Sequence, residues 1–236
     1  MNIILFSEGE SFFPSSDSRC QHIRKVLKLK VGDSFSAGII DGLAGKAVIE
    51  KDDEEGISFS FHPEKDLSSL FPLDMIIAQV RPICMKRILR ECASLGVGRL
   101  LLPVSDLGEK SYLDSSLYRS GEYESILIDG AMQAARTGVT KACLYRCAED
   151  AASSADSDSI KLLLDNAIGA ASLSDLDLSS SRVTIAIGPE RGWSDAERAM
   201  FIEKGFRPVL IGDRILRTET AAVAGAAIAL VQMGLI

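Results

Sequence analysis

The sequence predicts an α/β protein in which a small β-rich barrel precedes a parallel sheet covered by helices on both faces. Two observations carry this prediction. Residues up to about position 63 alternate short strands with turn residues, as in small barrels and sandwiches. From about position 75 onward, continuous apolar strands alternate with segments of helical spacing, which is typical of a parallel sheet buried on both sides.

The N-terminal region contains short predicted strands and one predicted helix. Gly32-Asp33 and Asp41-Gly42 supply the turns between strands. The helix, roughly residues 17–28, carries a run of basic residues. The strands are predicted at residues 2–6, 34–40, 46–50 and 57–62.

Residues 68–72 are interpreted as a linker, which divides the chain into domains 1–70 and 71–236. In the second domain, apolar spacing predicts one helix over residues 85–95 and a longer one between residues 117 and 136. The Ser/Asp/Ala-rich segment 151–159 is expected to be a solvated loop, and 221–236 a buried helix. Strands are predicted at 75–80, 100–104, 160–164, 183–187 and 208–211.

The composition indicates a folded protein that resides in the cytoplasm. Hydrophobic residues make up 47% of the chain and charged residues 25%, which argues against disorder. The apolar start, residues 1–6, lacks the basic flank and cleavage site of a signal peptide, and no apolar run is long enough to span a bilayer. The five cysteines form no C-x-x-C pair, so we expect free thiols and no metal site.

The charge distribution bears on a nucleic-acid partner. A net charge of −7 argues weakly against one. However, a basic run without any acid lies at residues 19–30, and a second basic cluster lies at residues 81–99. Taken alone, both are more simply explained as solvated helix faces.

The first motif with chemical meaning follows the strand at 183–187. It reads Gly-Pro-Glu-Arg-Gly-Trp over residues 188–193, and Ser194 with Glu197 then forms a capping box, so a helix begins just after Ser194. Gly188 and Gly192 permit close approach of a ligand to the backbone, and Pro189 stiffens the turn. It is neither a dinucleotide fingerprint nor a P-loop. By itself it fits a ligand loop and a capped structural turn equally well.

The second motif spans residues 211–222. A strand ends in a glycine loop, and a helix of small residues follows, with Thr218 or Thr220 as its expected N-cap. Arg217, Glu219 and Thr220 place three polar groups at the start of an otherwise apolar helix. A structural cap needs one such residue, so a functional role is favoured.

Together, the segments IGPERG (187–192) and IGDRILRTETA (211–221) resemble the ribosomal RNA small-subunit methyltransferase E family of the SPOUT superfamily. The segment HIRKVLKLKVG (22–32) is similar to the His-x-x-x-Val-Leu-Arg-x-x-x-Gly pattern of the family's PUA-like RNA-binding domain. Leu95-Gly96-Val97 is similar to a Leu-Gly-Val of the family, and residues 133–136 match a helix end containing Gln and Arg.

The resemblance implies a C-terminal domain tied in a trefoil knot, a homodimer, and methyl transfer from S-adenosylmethionine to N3 of a uridine in small-subunit (16S) ribosomal RNA. No membrane partner and no metal are implied. Basic residues of the first domain would contact RNA, namely Arg19, His22, Arg24, Lys25, Lys28 and Lys30, with Arg136 from the second. The implied cofactor site comprises Leu164, Asp165, Ile187, Gly188, Pro189, Glu190, Gly192, Ile211, Gly212, Ile215, Leu216, Arg217, Thr218, Thr220 and Ala221.

Elementary chemistry restricts the catalytic residues of such a reaction. Uridine N3 carries a proton at neutral pH, and both histidines lie in the N-terminal half, so the base is a carboxylate such as Glu190 or Glu219, or water. Arg217 cannot act as a base but can stabilise negative charge on a uracil carbonyl oxygen. The hypothesis is that Arg217 stabilises or positions the target and that Glu219 mainly orients Arg217.

Four departures from the family pattern leave alternatives open. Arg191 stands where the family usually has a second glycine, and it is strained if that position needs a positive φ but free to reach RNA phosphate if it does not. Arg81-Pro82 replaces Lys-Gly, Met132 replaces an acid, and Lys28 replaces an arginine. The alternatives are a SPOUT methyltransferase acting on another RNA, such as transfer RNA, and a non-catalytic RNA-binding relative. For His22, a core or capping role is favoured over an RNA contact.

Overall fold

The computed structural model describes residues 2–169, 171–179 and 181–236. The chain forms two compact units. The first contains Met1–Ser69 together with Ala131–Val139, and the second contains Leu70–Gly130 together with Thr140–Ile236. The sequence did not indicate that residues 131–139 return to the first unit.

In the first unit, the described residues form a five-stranded sheet with the order β1-β3-β4-β5-β2. The β1–β3 pair is parallel, and the remaining pairs are antiparallel. Of these strands, β2 was not predicted, because three residues at the edge of a sheet leave little periodic signal. The elements in chain order are β1 (Ile4–Phe6), β2 (Phe12–Pro14), α1 (Ser18–His22), β3 (Ser34–Ile39), β4 (Leu43–Asp52) and β5 (Gly56–Asp66).

Aromatic packing shows that this sheet is curled. Strands β1 and β5 are three positions apart in the sheet, so in a flat sheet they would be roughly 14 Å apart. Instead, the Phe6 ring lies 5.1 Å from the Phe61 ring and 5.2 Å from the Phe59 ring, centroid to centroid. Phe13 packs against Phe59 at 4.6 Å from the other edge of the sheet. The curled sheet therefore closes over an aromatic core, as the prediction of a small barrel requires.

The single helix predicted over residues 17–28 is wrong in detail. Asp17 caps α1 by accepting the backbone N–H of Arg19, but the α-helix is followed by a π-helical turn, Ile23–Leu27. That turn ends at Lys28, which has a left-handed φ of 54°. Cys20 and Ile23 are buried on the core side.

In the second unit, the described residues form a seven-stranded sheet with the order β10-β12-β9-β11-β6-β7-β8, and every pairing in it is parallel. Helix α4 runs from this unit into residues 131–133 of the first. The elements are β6 (Phe71–Ile77), α2 (Pro82–Ser94), β7 (Val97–Pro103), α3 (Ser116–Arg119), α4 (Glu122–Gln133), β8 (Lys141–Tyr145), α5 (Ala148–Ser153), β9 (Ile160–Leu164), β10 (Ala171–Ser172), β11 (Val183–Ile187), α6 (Asp195–Glu203), β12 (Arg207–Leu210) and α7 (Thr218–Gln232).

Side chains that alternate along the central strands bury both faces of this sheet. On β6, Ile76 belongs to the cluster that contains Trp193, Phe201 and the alanines of α5. Its neighbour Met75 points the other way, where its sulfur lies 4.0 Å from the sulfur of Cys92 on α2. Helices α2 and α7 pack together on that second face. The α/β class and the parallel sheet are thus confirmed.

Several predicted element boundaries are corrected. The long helix expected between residues 117 and 136 is split into α3 and α4, because Gly121 takes a φ of +74°. The expected loop 151–159 begins inside α5, where Ala151 and Ala152 are buried. The expected linker 68–72 overlaps the start of β6. Among the described residues, no helix has the length and apolarity that crossing a bilayer requires.

Candidate active site

A cavity of about 110 Å³ lies at the carboxyl ends of β9, β11 and β12, next to the start of α7. These three strands are neighbours in the sheet, and this edge of a parallel sheet is where ligands bind. The cavity is also lined by residues that the sequence did not single out: Asn166, Trp193, Val209, Leu210 and Arg214. Of the expected cofactor residues, Arg217 and Thr220 lie outside the lining, whereas these line the cavity: Leu164, Asp165, Ile187, Gly188, Pro189, Glu190, Gly192, Ile211, Gly212, Ile215, Leu216, Thr218 and Ala221.

The loop after β11, residues 188–193, is tightly packed. A Cβ added to Gly188 would lie 3.0 Å from both the carbonyl carbon of Gly192 and the backbone nitrogen of Trp193. The Gly192 N–H donates to the Pro189 carbonyl at 2.9 Å, and Gly192 has a φ of +71°. Arg191 does not have a positive φ. A glycine is therefore favoured at 188, where space is tight, and at 192, where φ is positive, but not at 191, which accommodates arginine without strain.

Helix α6 fixes the far end of this loop. The capping box is confirmed, because the Glu197 N–H donates to Ser194 Oγ at 3.1 Å and the Ser194 N–H donates to the Glu197 carboxylate at 2.8 Å. The same carboxylate accepts the Asp106 N–H at 2.9 Å, and this hydrogen bond joins the segment after β7 to α6. The side chain of Trp193 is buried, and its Nε1 has no hydrogen-bond partner within the described residues.

The start of α7 differs from the expected structure. Its N-cap is Arg217, which makes no side-chain capping bond, and not Thr218 or Thr220. The Thr218 hydroxyl instead donates to the Gly188 carbonyl at 3.2 Å and so links α7 to the β11 loop. Because no side chain caps this helix in the described structure, its first N–H groups remain available to an acceptor on a ligand.

The segment after β9 is organised by Asp165, whose side chain is only 3% exposed. One carboxylate oxygen accepts the Ala167 N–H at 2.8 Å, and the other accepts Nε of Arg198 at 2.8 Å. The Asp165 N–H donates to the Val209 carbonyl at 3.2 Å. The expected cofactor residue Asp165 is thus engaged within the protein, and it presents the backbone around it to the cavity.

Of the three expected catalytic residues, Glu190 lines the cavity, whereas Arg217 and Glu219 flank the lining residue Thr218 in sequence but do not line it themselves. Glu190 and Arg217 are exposed, and Glu219 is half-buried. Burial raises the pKa of the Cys84 thiol, and the adjacent carboxylates of Glu219 and Glu190 raise it further. Cys84, in the first turn of α2, therefore lies beside both carboxylates and stays protonated at neutral pH. No sequence signal could have identified it, because a lone cysteine in an amphipathic helix has no distinctive spacing.

In the first unit, two of the expected RNA-binding cations are already neutralised. The Arg19 guanidinium donates to Glu10 at 2.6 Å and to Asp17 at 2.7 Å, and it lies 4.1 Å above the Phe13 ring. Arg24 forms an ion pair with Asp52. Both arginines therefore hold the fold of this unit together and offer little net charge to a phosphate.

The remaining basic residues of the first unit have no such partner. Lys25, Lys28, Lys30 and Arg136 are exposed, and in the described part of the chain none forms an ion pair. His22 differs from them. Burial lowers its pKa, and its Nε2 has no hydrogen-bond partner among the described residues, so the core interpretation of this histidine is favoured.

Comparison with known proteins places the chain in a family. The family model for an RNA methyltransferase domain matches residues 67–232, and that for an RNA methyltransferase PUA domain matches residues 16–61. Ribosomal RNA small subunit methyltransferase E of Treponema pallidum (strain Nichols) is 40% identical, over 98% of this chain and 91% of that protein. Ribosomal RNA small subunit methyltransferase E 1 of Borreliella burgdorferi is 32% identical, over 97% of each chain.

A solved structure shares the fold. The ribosomal RNA small subunit methyltransferase E of Neisseria gonorrhoeae, bound to S-adenosyl methionine, is 22% identical and superposes with a TM-score of 0.81, over 99% of this chain and 98% of that one. At this identity the likeness shows the fold alone, and the two more similar relatives show the family. Among the described residues, no group of His, Cys, Asp or Glu could hold a metal ion. The chain belongs to the ribosomal RNA small subunit methyltransferase E family.

Proposed function

We propose that this protein transfers a methyl group from S-adenosylmethionine to N3 of a uridine in small-subunit (16S) ribosomal RNA, in the cytoplasm. The observation that carries the proposal is the cavity at the carboxyl ends of β9, β11 and β12, lined by both motifs that distinguish the sequence. Relatives at 40% and 32% identity are named for methylation of this RNA. The related Neisseria gonorrhoeae protein was crystallised with S-adenosyl methionine.

The residues that line the cavity fit the chemistry of S-adenosylmethionine. Leu164, Ile187 and Ile211 offer apolar surface to an adenine ring. The unpartnered Trp193 Nε1 and the uncapped first turn of α7 offer N–H donors, which suit the ligand's ring nitrogens and carboxylate. When bound, S-adenosylmethionine supplies an electrophilic methyl group on its sulfonium.

The residues of this chain must manage the proton on uridine N3. Methylation replaces the N3–H bond of uridine with an N3–CH3 bond, while the S–CH3 bond of the donor breaks and leaves S-adenosylhomocysteine. The proton released from N3 is accepted at the site, and Glu190, Glu219 or water can accept it. Cys84 is excluded as the base because its thiol stays protonated. Arg217 is exposed and lies between the cavity-lining Leu216 and Thr218; in this proposal it stabilises the negative charge that develops on a uracil carbonyl oxygen. Glu219 is proposed to orient Arg217 when substrate is bound, since no hydrogen bond or ion pair joins the two side chains in the described structure.

The first unit supplies the RNA contacts in this proposal. Lys25, Lys28, Lys30 and Arg136 are exposed cations without ion-pair partners in the described structure, and they suit RNA phosphates. The target uridine has to leave its stack to reach a methyl donor in a cavity, which favours a looped or distorted RNA site. In the second unit, the exposed Arg191 lies between the cavity-lining Glu190 and Gly192 and offers a further cation to an RNA phosphate.

We propose further that the second unit has the SPOUT topology with its trefoil knot and that the protein works as a homodimer. Light scattering coupled to size exclusion tests the dimer, and a monomer at micromolar concentration contradicts it. Exposed apolar side chains at the C-terminal end of α7 (Val231) and just after it (Leu235 and Ile236) offer a surface that a second copy could bury.

The experiment that tests the substrate compares ribosomal RNA from a strain lacking this protein with RNA from the same strain carrying it again. N3 methylation blocks the Watson–Crick face, so primer extension on 16S RNA stops only when the protein is present. Nuclease digestion and mass spectrometry then identify the methylated base. A new methyl group on transfer RNA instead supports the other-RNA alternative, and none on any RNA supports the non-catalytic one.

The mechanism is tested at Arg217. Arg217→Gln is expected to lower the single-turnover methylation rate by roughly 10²- to 10³-fold, the range for losing one donor to a developing oxyanion. Arg217→Lys keeps the charge and should recover part of the rate. If Arg217→Gln methylates at the wild-type single-turnover rate, Arg217 has no part in the mechanism. S-adenosylmethionine affinity serves as the control and is expected to change little, since Arg217 does not line the cavity.

A further inference from the structure

Arg198 lies between two of the three loops that form the cavity. It belongs to the first turn of α6, and its Nε donates to the Asp165 carboxylate at 2.8 Å. Its Nη1 donates to Asp195 at 2.9 Å, within the same helix. On the other side, a Cβ placed on Gly192 would lie 3.3 Å from Nη2 of Arg198, so the guanidinium packs directly against that glycine. Arg198 itself does not line the cavity.

The contact with Asp165 is the stronger of the two carboxylate contacts. The Asp165 side chain is 3% exposed and that of Arg198 is 19% exposed, whereas the Asp195 side chain is fully exposed. A buried carboxylate needs a partner of opposite charge, and removing that partner leaves an uncompensated charge in the interior. In the described structure, Asp165 has Arg198 as its cation and the Ala167 N–H as its further donor.

Losing Arg198 would therefore act on the backbone of the cavity. Asp165, Asn166 and Leu164 line it from the β9 side, and Gly192 lines it from the β11 side. If Asp165 lost its partner, its carboxylate would turn toward solvent or take up a proton, and the segment 164–169 would lose the contact that holds it beside Gly192. Among the described residues, Arg198 makes no hydrogen bond or ion pair with the third loop, after β12, that could compensate.

We propose that Arg198 is a positioning residue for the cofactor: through Asp165 and Gly192 it holds the β9 and β11 loops at the spacing that binds S-adenosylmethionine. The inference rests on the proposed function, because it assumes that S-adenosylmethionine occupies this cavity. It assigns a role to a residue that does not line the cavity itself. Because Arg198 acts through loop position, it governs cofactor affinity and leaves the chemistry of the bound complex unchanged.

The test compares Arg198→Gln, Arg198→Lys and Asp165→Asn with the wild type. The matched control is Lys204→Gln, which removes the Lys204–Glu149 ion pair at the other end of the same helix. Affinity for S-adenosylmethionine and for S-adenosylhomocysteine is measured by calorimetry. Trp193, which is the only tryptophan of the chain and lines the cavity, gives an independent fluorescence readout. Melting temperature and steady-state methylation kinetics complete the set.

Arg198→Gln is expected to weaken the binding of both ligands by roughly 10- to 100-fold, the range for losing an outer partner that holds binding groups in place. KM for S-adenosylmethionine should rise by the same factor while kcat stays within about twofold. Arg198→Lys should recover part of the loss, because lysine keeps the charge but not the planar fork. Lys204→Gln should bind like the wild type. In the double variant Arg198→Gln/Asp165→Asn, affinity should fall no further than in Arg198→Gln alone.

Three results would overturn the inference. One is a lower melting temperature of Arg198→Gln with unchanged affinity for both ligands, which marks a structural role only. A second is a fall in kcat with unchanged KM. A third is tighter binding of S-adenosylmethionine but not of S-adenosylhomocysteine, which would show that the freed Asp165 attracts the sulfonium charge. If wild-type protein binds neither ligand, the proposed function itself fails, and that result is separate from the other three.

Discussion

The two motifs that line the cavity are built in opposite ways. The β11 loop, residues 188–193, is closed: a Cβ on Gly188 would meet backbone atoms at 3.0 Å, Trp193 is buried, and the capping box of α6 fixes the end of the loop. The segment after β12, residues 211–217, is open: Gly212 has nothing within 4 Å of an added Cβ, and Ile215 is 86% exposed.

This difference shows how one cavity can combine a fixed wall with an adaptable one. A preorganised wall binds a ligand at a small cost in conformational entropy. An exposed wall keeps Arg214 and Ile215 available for contact with a substrate. Substitutions should therefore lower stability on the β11 side, and they should leave it nearly unchanged on the β12 side.

The largest difference in loss of stability is expected between Trp193→Ala and Ile215→Ala. Trp193 packs on Phe201 with ring centroids 4.8 Å apart, so its removal leaves a cavity and should lower the free energy of unfolding by about 3–5 kcal/mol. Ile215→Ala should change it by less than about 0.5 kcal/mol. Urea denaturation followed by circular dichroism measures both variants. Equal losses in the two would mean that residues 211–217 are packed in solution.

A smaller difference in loss of stability is expected between two glycine substitutions. In Gly188→Ala the new methyl group meets backbone atoms of Gly192 and Trp193 at 3.0 Å, and the overpacking should lower stability by about 1–3 kcal/mol. Gly212→Ala meets nothing and should stay within about 0.5 kcal/mol of the wild type. Thermal unfolding with and without S-adenosylmethionine provides the comparison. A stable Gly188→Ala protein would disprove the tight packing of the β11 loop.

The variant Glu197→Gln tests how much the capping box at the closed end of the β11 loop contributes to stability. Glutamine cannot accept both the Ser194 and the Asp106 N–H, so the variant should be less stable by about 1 kcal/mol at low salt. Glu203→Gln, an exposed change on the same helix, is the matched control and should have no measurable effect. A Glu197→Gln protein as stable as that control would show that the capping box contributes nothing.

The stability of Glu197→Gln relative to the wild type should also depend on pH. Burial raises the pKa of the Glu197 carboxyl above its usual value, although the N–H groups bonded to it oppose the shift. An acid with a raised pKa binds its proton more tightly in the folded state, so its contribution to stability is largest at low pH and is lost as the pH rises through the raised pKa. The difference in free energy of unfolding between wild type and Glu197→Gln should therefore become smaller as the pH rises through the raised pKa of Glu197. A difference that grows as the pH rises would contradict this prediction.

The smallest effect is expected at Arg191. Because its φ is not positive, glycine relieves no strain there and only adds freedom to the unfolded chain. Arg191→Gly should thus be slightly less stable, by up to about 1 kcal/mol. Gly192→Ala should be less stable by about 1–2 kcal/mol, since Gly192 has a φ of +71°. A gain in stability for Arg191→Gly would show that arginine is strained after all.

Much of the parallel sheet could be predicted, because its buried strands are continuous apolar runs bounded by turns. The strands Ile160–Leu164 and Val183–Ile187 match their predicted bounds. The strand Lys141–Tyr145 was missed because it lies at the edge of the sheet and is only partly buried. The break at Gly121 was missed because a glycine inside an apolar pattern is also compatible with a continuous helix.

The sequence by itself determined the local chemistry of the site: two glycine loops after buried strands, a capping box at Ser194, and a polar group at the start of α7. These follow from neighbours a few residues apart, whose geometry the backbone restricts. Only the tertiary structure decided that Cys84 lies beside Glu219, that Arg198 pairs with Asp165, and that Arg19 and Arg24 are already neutralised. Those contacts depend on strand order and on desolvation, which arise only when distant segments pack together.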